Sequence, residues 1–195
     1  MNADFDKTFW DSRYTDENTG WDLGSVSTPL KEYFDQLEDK SISILIPGAG
    51  NSHEAEYLHK IGFTDVSVID ISKHPLENIA QRVPSFPTKN LIHDDFFNHS
   101  KTYDIIVEQT FFCALHPSYR EKYVANMHKL LKPNGKLIGL MFNAPLHEDY
   151  PPFGGDLEEY RNLFSPKFEI KQMEEAYNSI ESRAGREVFI IFRKK

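Results

Sequence analysis

The chain has 195 residues and a mass of 22.6 kDa, a length that suits one domain with a substantial core. Residues of the types AVILMFWYC make up 39% of it, and it contains 15 Phe and 9 Tyr, which excludes a disordered chain. A net charge of −8, with no basic run longer than Arg193–Lys195, argues against a nucleic-acid or anionic membrane surface.

The single cysteine, Cys113, excludes an intramolecular disulfide and a cysteine-based metal cluster. The first residues, Met1–Asp6, lack the basic and apolar regions of a signal peptide. No apolar run approaches the roughly 20 residues that a membrane span needs. We therefore expect a cytoplasmic monomer or weak homodimer without nucleic-acid, membrane or metal partners.

Aromatic residues are concentrated near the start of the chain, in Phe9–Tyr14 and at Trp21. A helix is expected after them, because Thr28 is a suitable N-cap and Pro29 suits the first helical position. This helix should run to Leu37.

Short β-branched runs alternate with helical patterns through the rest of the chain. The predicted strands are Ser41–Ile46, Asp65–Asp70, Asn90–His93, Tyr103–Val107, Gly135–Phe142, Phe168–Glu174 and Arg186–Arg193. The predicted helices between them are His53–Ile61, Pro75–Arg82 and Ser118–Leu131. This order predicts an α/β fold with a mostly parallel seven-stranded sheet and helices on both faces. The last two strands have no clear helix between them and should form a C-terminal antiparallel pair.

The turn after the first strand, Pro47–Ser52, carries two glycines. Gly48 and Gly50 let the backbone approach a ligand closely, and the helix that follows offers free N–H donors. His53 stands where the dinucleotide fingerprint has its third glycine, which disfavours an NAD-dependent reductase.

Acidic residues follow the second and third strands. Asp70 comes 20 residues after Gly50, the offset at which an acid accepts hydrogen bonds from ribose hydroxyls, although it would also suit the cap of the next helix. Asp95 and Phe96 would accept from an adenine amino group and stack on its ring, the alternative being a solvated acid beside a core phenylalanine. Together they predict a ligand that contains adenosine.

Glu108 and Gln109 follow the buried run of the fourth strand directly. The carboxyl end of that strand should open onto the ligand crevice of an open α/β sheet. Cys113 is interpreted as an inert buried thiol, and His116 as either a base or a helix-entry residue. A base at Glu108 or His116 is needed only if the acceptor is a hydroxyl or an amine.

Taken together, these segments resemble the thiopurine S-methyltransferase superfamily, in particular its plant-type harmless-to-ozone-layer branch, which methylates halides and thiols. The resemblance extends from about Phe9 to the C-terminus. It rests on Arg13, Trp21, Leu45–Gly50, Val68–Ser72, Asp95–Phe97, Phe111–Ala114, Pro117, Arg120, Leu130–Gly135 and Pro151–Phe153. The sequence departs from that pattern at Tyr14, where tryptophan is usual, at Gln109, where the halide-methylating branch has tyrosine, and at Tyr150, where glycine is usual.

This resemblance implies a Rossmann-like class I methyltransferase that uses S-adenosylmethionine as donor and a small thiol, sulfide, halide or thiopurine as acceptor. It implies one domain over residues 1–195, with residues 1–40 as an aromatic cover segment and helix and residues 41–195 as the core. The implied cofactor-binding residues are Trp10, Tyr14 and Trp21 around the cofactor, Gly48 at its methionine portion, Asp70 at the ribose, Asp95 and Phe96 at the adenine, and Gln109. The implied substrate-binding residues are Arg120 and Phe153.

No residue is assigned as a catalytic base, because a soft acceptor is already anionic or ionises easily. Aromatic faces would attract the sulfonium cation of the donor. Three alternatives stay open: a methyltransferase acting on hydroxyls or amines, an NAD-dependent reductase, and a protein that binds the cofactor without turnover.

Overall fold

The computed structural model describes residues 5–195. Residues 1–4 lie outside the described residues. They include the first residues of the predicted cover segment and most of Met1–Asp6, the stretch that lacks the features of a signal peptide. Within residues 5–195, no helix combines the length and the apolar character needed to cross a membrane.

Seven strands form one sheet with the order β3-β2-β1-β4-β5-β7-β6. The strands are β1 Ser43–Pro47, β2 Asp65–Asp70, β3 Leu91–His93, β4 Tyr103–Gln109, β5 Leu131–Phe142, β6 Phe168–Glu175 and β7 Glu187–Lys194. The helices are α1 Lys7–Thr15, α2 Thr28–Asp35, α3 His53–Lys60, α4 His74–Arg82, α5 Arg120–Leu130 and α6 Leu157–Phe164.

The first five strands pair in parallel, and β7 lies antiparallel between β5 and β6. The predicted mostly parallel sheet with a C-terminal antiparallel pair is therefore confirmed. From β1 the chain builds the sheet outwards to one side, through β2 and β3, and then returns to the other side of β1 with β4. In open α/β sheets, ligands bind in the crevice between the two strands where this change occurs.

Helices cover both faces of the sheet because its central strands, β1, β2 and β4, are apolar on both sides. On one face, α2, α3 and α4 bury residues such as Leu30, Leu58 and Ile79 against it. On the other face, α5 and α6 do the same with residues such as Met127 and Phe164. The strands are thus fixed rigidly beneath the loops at their carboxyl ends.

The helix predicted from Thr28 begins one residue earlier than expected. Ser27 is its N-cap, Thr28 is already helical, and Pro29 takes the second position of α2. The Ser27 N–H donates to Oε1 of Glu54 at 3.0 Å, so this turn is fixed by α3. The helix ends at Asp35, two residues before the predicted end at Leu37.

Three strands are longer than predicted: β6 by one residue, to Glu175, and β4 and β5 by more. β4 continues through Glu108 and Gln109, which pair with Gly139 and Leu140 of β5, so these two residues end the strand rather than follow it. β5 begins at Leu131, opposite Tyr103, instead of at Gly135.

Two helices were absent from the sequence prediction. Helix α1 buries none of its residues fully, so it lacks the apolar stripe by which a helix is recognised. Helix α6 had a readable signal, because Asp156 caps it by accepting from the Glu159 N–H at 2.8 Å, with the D-x-x-E spacing of a capping box.

Candidate functional site

A cavity of about 750 Å³ opens where the carboxyl ends of β1, β2 and β4 meet. Helix α1 and the segment after it form its outer wall. All eight residues predicted to bind the cofactor line this cavity: Trp10, Tyr14, Trp21, Gly48, Asp70, Asp95, Phe96 and Gln109. The fold therefore brings into one place residues that are far apart in the sequence.

The glycine turn takes a backbone conformation that favours glycine. Gly48 has a φ of +66° and Gly50 a φ of +53°, the left-handed region that glycine adopts without strain. A Cβ at Gly48 would overlap the ring of Phe111. At Gly48 and Gly50 the turn therefore presents backbone atoms without side chains to the cavity at the end of β1.

Asp70 organises this turn from the end of β2. Its Oδ2 accepts from the Ala49 N–H at 2.8 Å and its Oδ1 from the Ser72 N–H at 2.7 Å. It does not cap the next helix, whose N-cap is Lys73 without a side-chain hydrogen bond. Burial raises the pKa of Asp70 to about 6, because the desolvation of the carboxylate outweighs the hydrogen bonds that it accepts.

Asp95 and Phe96 lie beside Asp70 at the end of β3. The Asp95 carboxylate accepts from the Phe97 N–H at 2.9 Å and caps a single 3₁₀ turn. Phe96 is buried and packs edge-to-face on Phe111, with 5.2 Å between ring centroids. It is therefore both a core residue and part of the cavity wall, while Phe97 is half-buried.

The aromatic residues of the N-terminal segment form one cluster over the glycine turn. The Trp21 ring meets Trp10 at 5.7 Å and Tyr14 at 5.6 Å, both edge-to-face. The cluster is tied to the core by a 2.6 Å hydrogen bond from Ser72 Oγ to Asp11 Oδ1. Trp10 and Trp21 therefore pack against each other and also line the cavity.

Glu108 is a structural carboxylate beneath the cavity wall. It is 1% exposed, and its Oε1 accepts from the N–H groups of Phe111 and Phe112 at 2.8 and 2.9 Å. Its Oε2 accepts from the Tyr123 hydroxyl. Burial raises the pKa of Glu108 to about 7. Both oxygens are engaged by donors inside the protein, and Glu108 itself does not line the cavity.

Gln109, the next residue, differs from Glu108 because its side-chain oxygen is not engaged inside the protein. Its Oε1 is buried without a hydrogen-bond partner, and the residue lines the cavity. A buried amide oxygen without a partner carries a desolvation cost, and a ligand that donates a hydrogen bond removes it.

Two further candidates have structural partners. His116 accepts from the Ser118 N–H at 3.2 Å and caps the turn before α5, which supports the helix-entry interpretation. Cys113 is buried and burial raises the pKa of its thiol, in agreement with an inert thiol.

Arg120 and Phe153, the predicted substrate-binding residues, lie behind the cavity wall and not in it. The Arg120 side chain is 10% exposed and pairs with Glu159, while its Nη2 donates to the Gly154 carbonyl at 2.5 Å. Phe153 is 1% exposed, and its N–H donates to the Cys113 carbonyl at 2.7 Å. Both residues fix the loop after β5 through these hydrogen bonds. Pro151 and Pro152, which precede Phe153 in this loop, line the cavity in their place.

The structure adds basic residues to the wall for which the sequence predicts no role. Arg183 and Arg186, from the loop between β6 and β7, and His147, from the loop after β5, line the cavity. Arg183 is buried, donates to Glu187 Oε1 at 3.2 Å, and donates to the Trp21 carbonyl at 2.8 Å. No local sequence pattern distinguishes Arg183 from an exposed charge of the loop, because its partners Glu187 and Trp21 are set by the tertiary fold.

Comparisons with known proteins agree with this geometry. The family model described as thiopurine S-methyltransferase matches residues 5–193. Thiocyanate methyltransferase 1 of Brassica oleracea is 30% identical over 187 residues, covering 91% of this chain and 81% of that protein. A thiopurine S-methyltransferase of Vibrio parahaemolyticus is 26% identical and covers 95% of this chain and 98% of that protein.

Among solved structures, a Burkholderia thailandensis 1,6-didemethyltoxoflavin-N1-methyltransferase with bound S-adenosylhomocysteine has a TM-score of 0.78. The match covers 97% of this chain and 87% of that chain at 16% sequence identity. At this identity the likeness concerns the fold, which is the Rossmann-like class I fold predicted from the sequence.

Proposed function

Since the chain belongs to the thiopurine S-methyltransferase family, we propose that it transfers the methyl group of S-adenosylmethionine to a small soft nucleophile. The acceptor is a thiol, a sulfide, a halide or a thiopurine. The observation that carries this proposal is the single cavity lined by the glycine turn, two acids at neighbouring strand ends and a cluster of aromatic rings.

The residues of the cavity fit the donor. In this proposal the carboxylates of Asp70 and Asp95 accept from the ribose and the adenine amino group, while Gly48 faces the methionine portion. Gln109 Oε1, buried without a partner, is available to a hydrogen-bond donor of the ligand. Trp10, Tyr14 and Trp21 surround the sulfonium, since aromatic faces attract a cation by about 0.5–2 kcal/mol each.

When bound, the donor supplies an electrophilic methyl group on a positively charged sulfur. The chain's own contribution is to hold the two reactants in line and to exclude water from an anionic acceptor. The aromatic cluster performs the second task, because its rings cover the glycine turn. The basic side chain of Arg186 at the wall favours an acceptor with negative charge, whereas the charge of Arg183 is balanced by Glu187.

Soft acceptors need no general base. The two residues that could serve as a base for a hydroxyl or amine acceptor both have structural partners, since Glu108 is engaged by internal donors and His116 caps a turn. A second candidate function, transfer to a hydroxyl or an amine, is favoured only by His147. Its imidazole lines the cavity and is the one histidine there, apart from the Asp22-bound His53, in the part of the chain that the structure describes.

The deciding experiment compares thiophenol with phenol, two acceptors that differ in one atom. Purified protein is incubated with labelled donor and this pair, together with iodide, bisulfide, a thiopurine and an aniline. We expect methylation of the sulfur and halide acceptors and little of phenol. The variant His147→Ala should keep thiol transfer, because the thiolate needs no base.

Methylation confined to phenol and the aniline, and lost in His147→Ala, would instead establish the second candidate. Thermal shift with S-adenosylhomocysteine and with NAD is the companion measurement. We expect stabilisation by S-adenosylhomocysteine, whereas stabilisation by NAD alone would contradict a methyltransferase.

Donor affinity should depend on pH through Asp70. Its pKa of about 6 in the free protein lies above the ordinary 3.8 for aspartate, so the carboxyl becomes protonated as the pH falls below 6. Ribose hydroxyls donate to the ionised form, so the affinity for S-adenosylhomocysteine should fall by up to about tenfold per pH unit below 6 and level off above it. Calorimetric titration between pH 5 and pH 8 measures this, and Asp70→Asn should flatten the profile.

The proposal includes a small-molecule acceptor and a cytoplasmic location, with a monomer or weak homodimer as the acting form. In this proposal the cover segment and the core act as a single methyltransferase domain.

A further inference from the structure

His53 is the residue that breaks the dinucleotide fingerprint, and the proposed reaction gives it no part. It is the first residue of α3, directly after the glycine turn. Its Nε2 lies 2.8 Å from Oδ1 of Asp22, which belongs to the segment that covers the cavity. The two side chains are only 18% and 21% exposed, so this contact is shielded from bulk water.

Asp22 accepts hydrogen bonds from three directions. Besides His53, its Oδ1 accepts from the Gly24 N–H at 2.8 Å, and its Oδ2 accepts from the side-chain amide of Asn51. Burial alone would raise the pKa of Asp22, but the hydrogen bonds from Gly24, Asn51 and His53 together hold it below its ordinary value. Asp22 is therefore a carboxylate at neutral pH, and it joins the cover segment to both the glycine turn and α3.

Trp21, the neighbour of Asp22, lies on the glycine turn itself. Its indole Cδ1 and Nε1 are each 3.6 Å from the position of a Cβ on Gly50. Its carbonyl accepts from Nη2 of Arg183, which also lines the cavity. Trp21 is thus held by Arg183 through its own backbone and by the Asp22–His53 pair through the next residue.

We propose that Asp22 and His53 are positioning residues that hold Trp21 over the donor site and thereby retain the bound donor. This inference rests on the proposed function. A glycine at position 53 would lack the side chain that reaches the cover segment, so the departure from the fingerprint has a physical purpose. The pair lines the cavity and acts through Trp21. It should therefore affect the binding of the donor more than the chemical step.

The test compares His53→Ala with His53→Gln and with His59→Ala. Glutamine keeps a side-chain N–H for Asp22, whereas alanine removes it. His59 is the matched control, because it lies on the same helix but outside the cavity, with its Nε2 3.0 Å from Ser85 Oγ.

We expect His53→Ala to weaken S-adenosylhomocysteine binding and raise the donor KM by about tenfold, the effect of one lost charge-assisted hydrogen bond. The kcat at saturating donor should change by less than about twofold, since the pair acts on donor binding through Trp21. His53→Gln should recover affinity to within about threefold, and His59→Ala should behave like the wild type. Asp22→Asn should lower affinity in the same direction.

A second readout does not depend on any ligand. Hydrogen exchange of residues 20–27 in the free protein should be faster in His53→Ala and unchanged in His59→Ala. Wild-type donor affinity in His53→Ala, or an equal loss in His59→Ala, would overturn the positioning role. If the wild-type protein bound no S-adenosylhomocysteine, the proposed function would fail, and unchanged exchange in His53→Ala would separately show that the pair does not hold the segment.

Discussion

Replacement of Glu108 by alanine is expected to lower the free energy of unfolding by about 3 kcal/mol or more. The substitution leaves three donors without an acceptor inside the protein: the N–H groups of Phe111 and Phe112 and the hydroxyl of Tyr123. The turn that carries Phe111 should then lose its conformation, and with it the cavity wall behind Gly48. Urea unfolding followed by circular dichroism measures the loss of stability, and turnover of thiophenol measures the loss of the site.

Glu108→Gln separates a structural role from a catalytic one. The amide has the same shape, its oxygen still accepts from both backbone N–H groups, and the Tyr123 hydroxyl can turn to accept from the amide nitrogen. We expect it to fold and to keep most of the activity. Glu121→Ala, which removes an exposed carboxylate in the first turn of α5, should change stability by no more than about 1 kcal/mol. A folded but inactive Glu108→Gln would mean that the carboxylate acts as a base.

Replacement of Asp70 by alanine is expected to weaken S-adenosylhomocysteine binding by about 100-fold. The substitution removes the acceptor for the ribose and leaves the N–H groups of Ala49 and Ser72 unpaired. Two lost hydrogen bonds at about 1.4 kcal/mol each correspond to this factor. Fluorescence titration suits the measurement, because the chain has two tryptophans and both line the cavity.

Asp65 provides the control for this variant. It lies at the opposite end of the same strand, β2, where it pairs with Lys101 on the surface. Asp65→Ala should bind S-adenosylhomocysteine as the wild type does. Equal weakening in both variants would indicate a general effect on the strand and would contradict a specific role of Asp70 in binding.

The sequence predicted the sheet well because its strands are continuous apolar runs between clear turns. β2, for example, has the predicted bounds Asp65–Asp70. Helix α1 escaped prediction because its rings pack on the cavity rim and not in the core. Helix α6 escaped although its Asp156 cap was readable.

The cofactor side of the site was more predictable than the acceptor side. Asp70 and Gly48 follow from strand ends and a turn, which are local features. The environment of Arg120 depends on Glu159 and Gly154, which come close only in the folded chain. The roles of His53 and Arg183 likewise follow from contacts with Asp22 and Trp21 that no local pattern contains.

The hydrogen bond between Arg183 and the Trp21 carbonyl joins residues 162 positions apart. Contacts between such distant parts of a chain form slowly, because the entropy of closing a long loop must be overcome first. The sheet can already be assembled around β1 and β4 before this contact forms. The donor site is therefore expected to mature late during folding, and a nascent domain with native secondary structure would not yet bind its ligand.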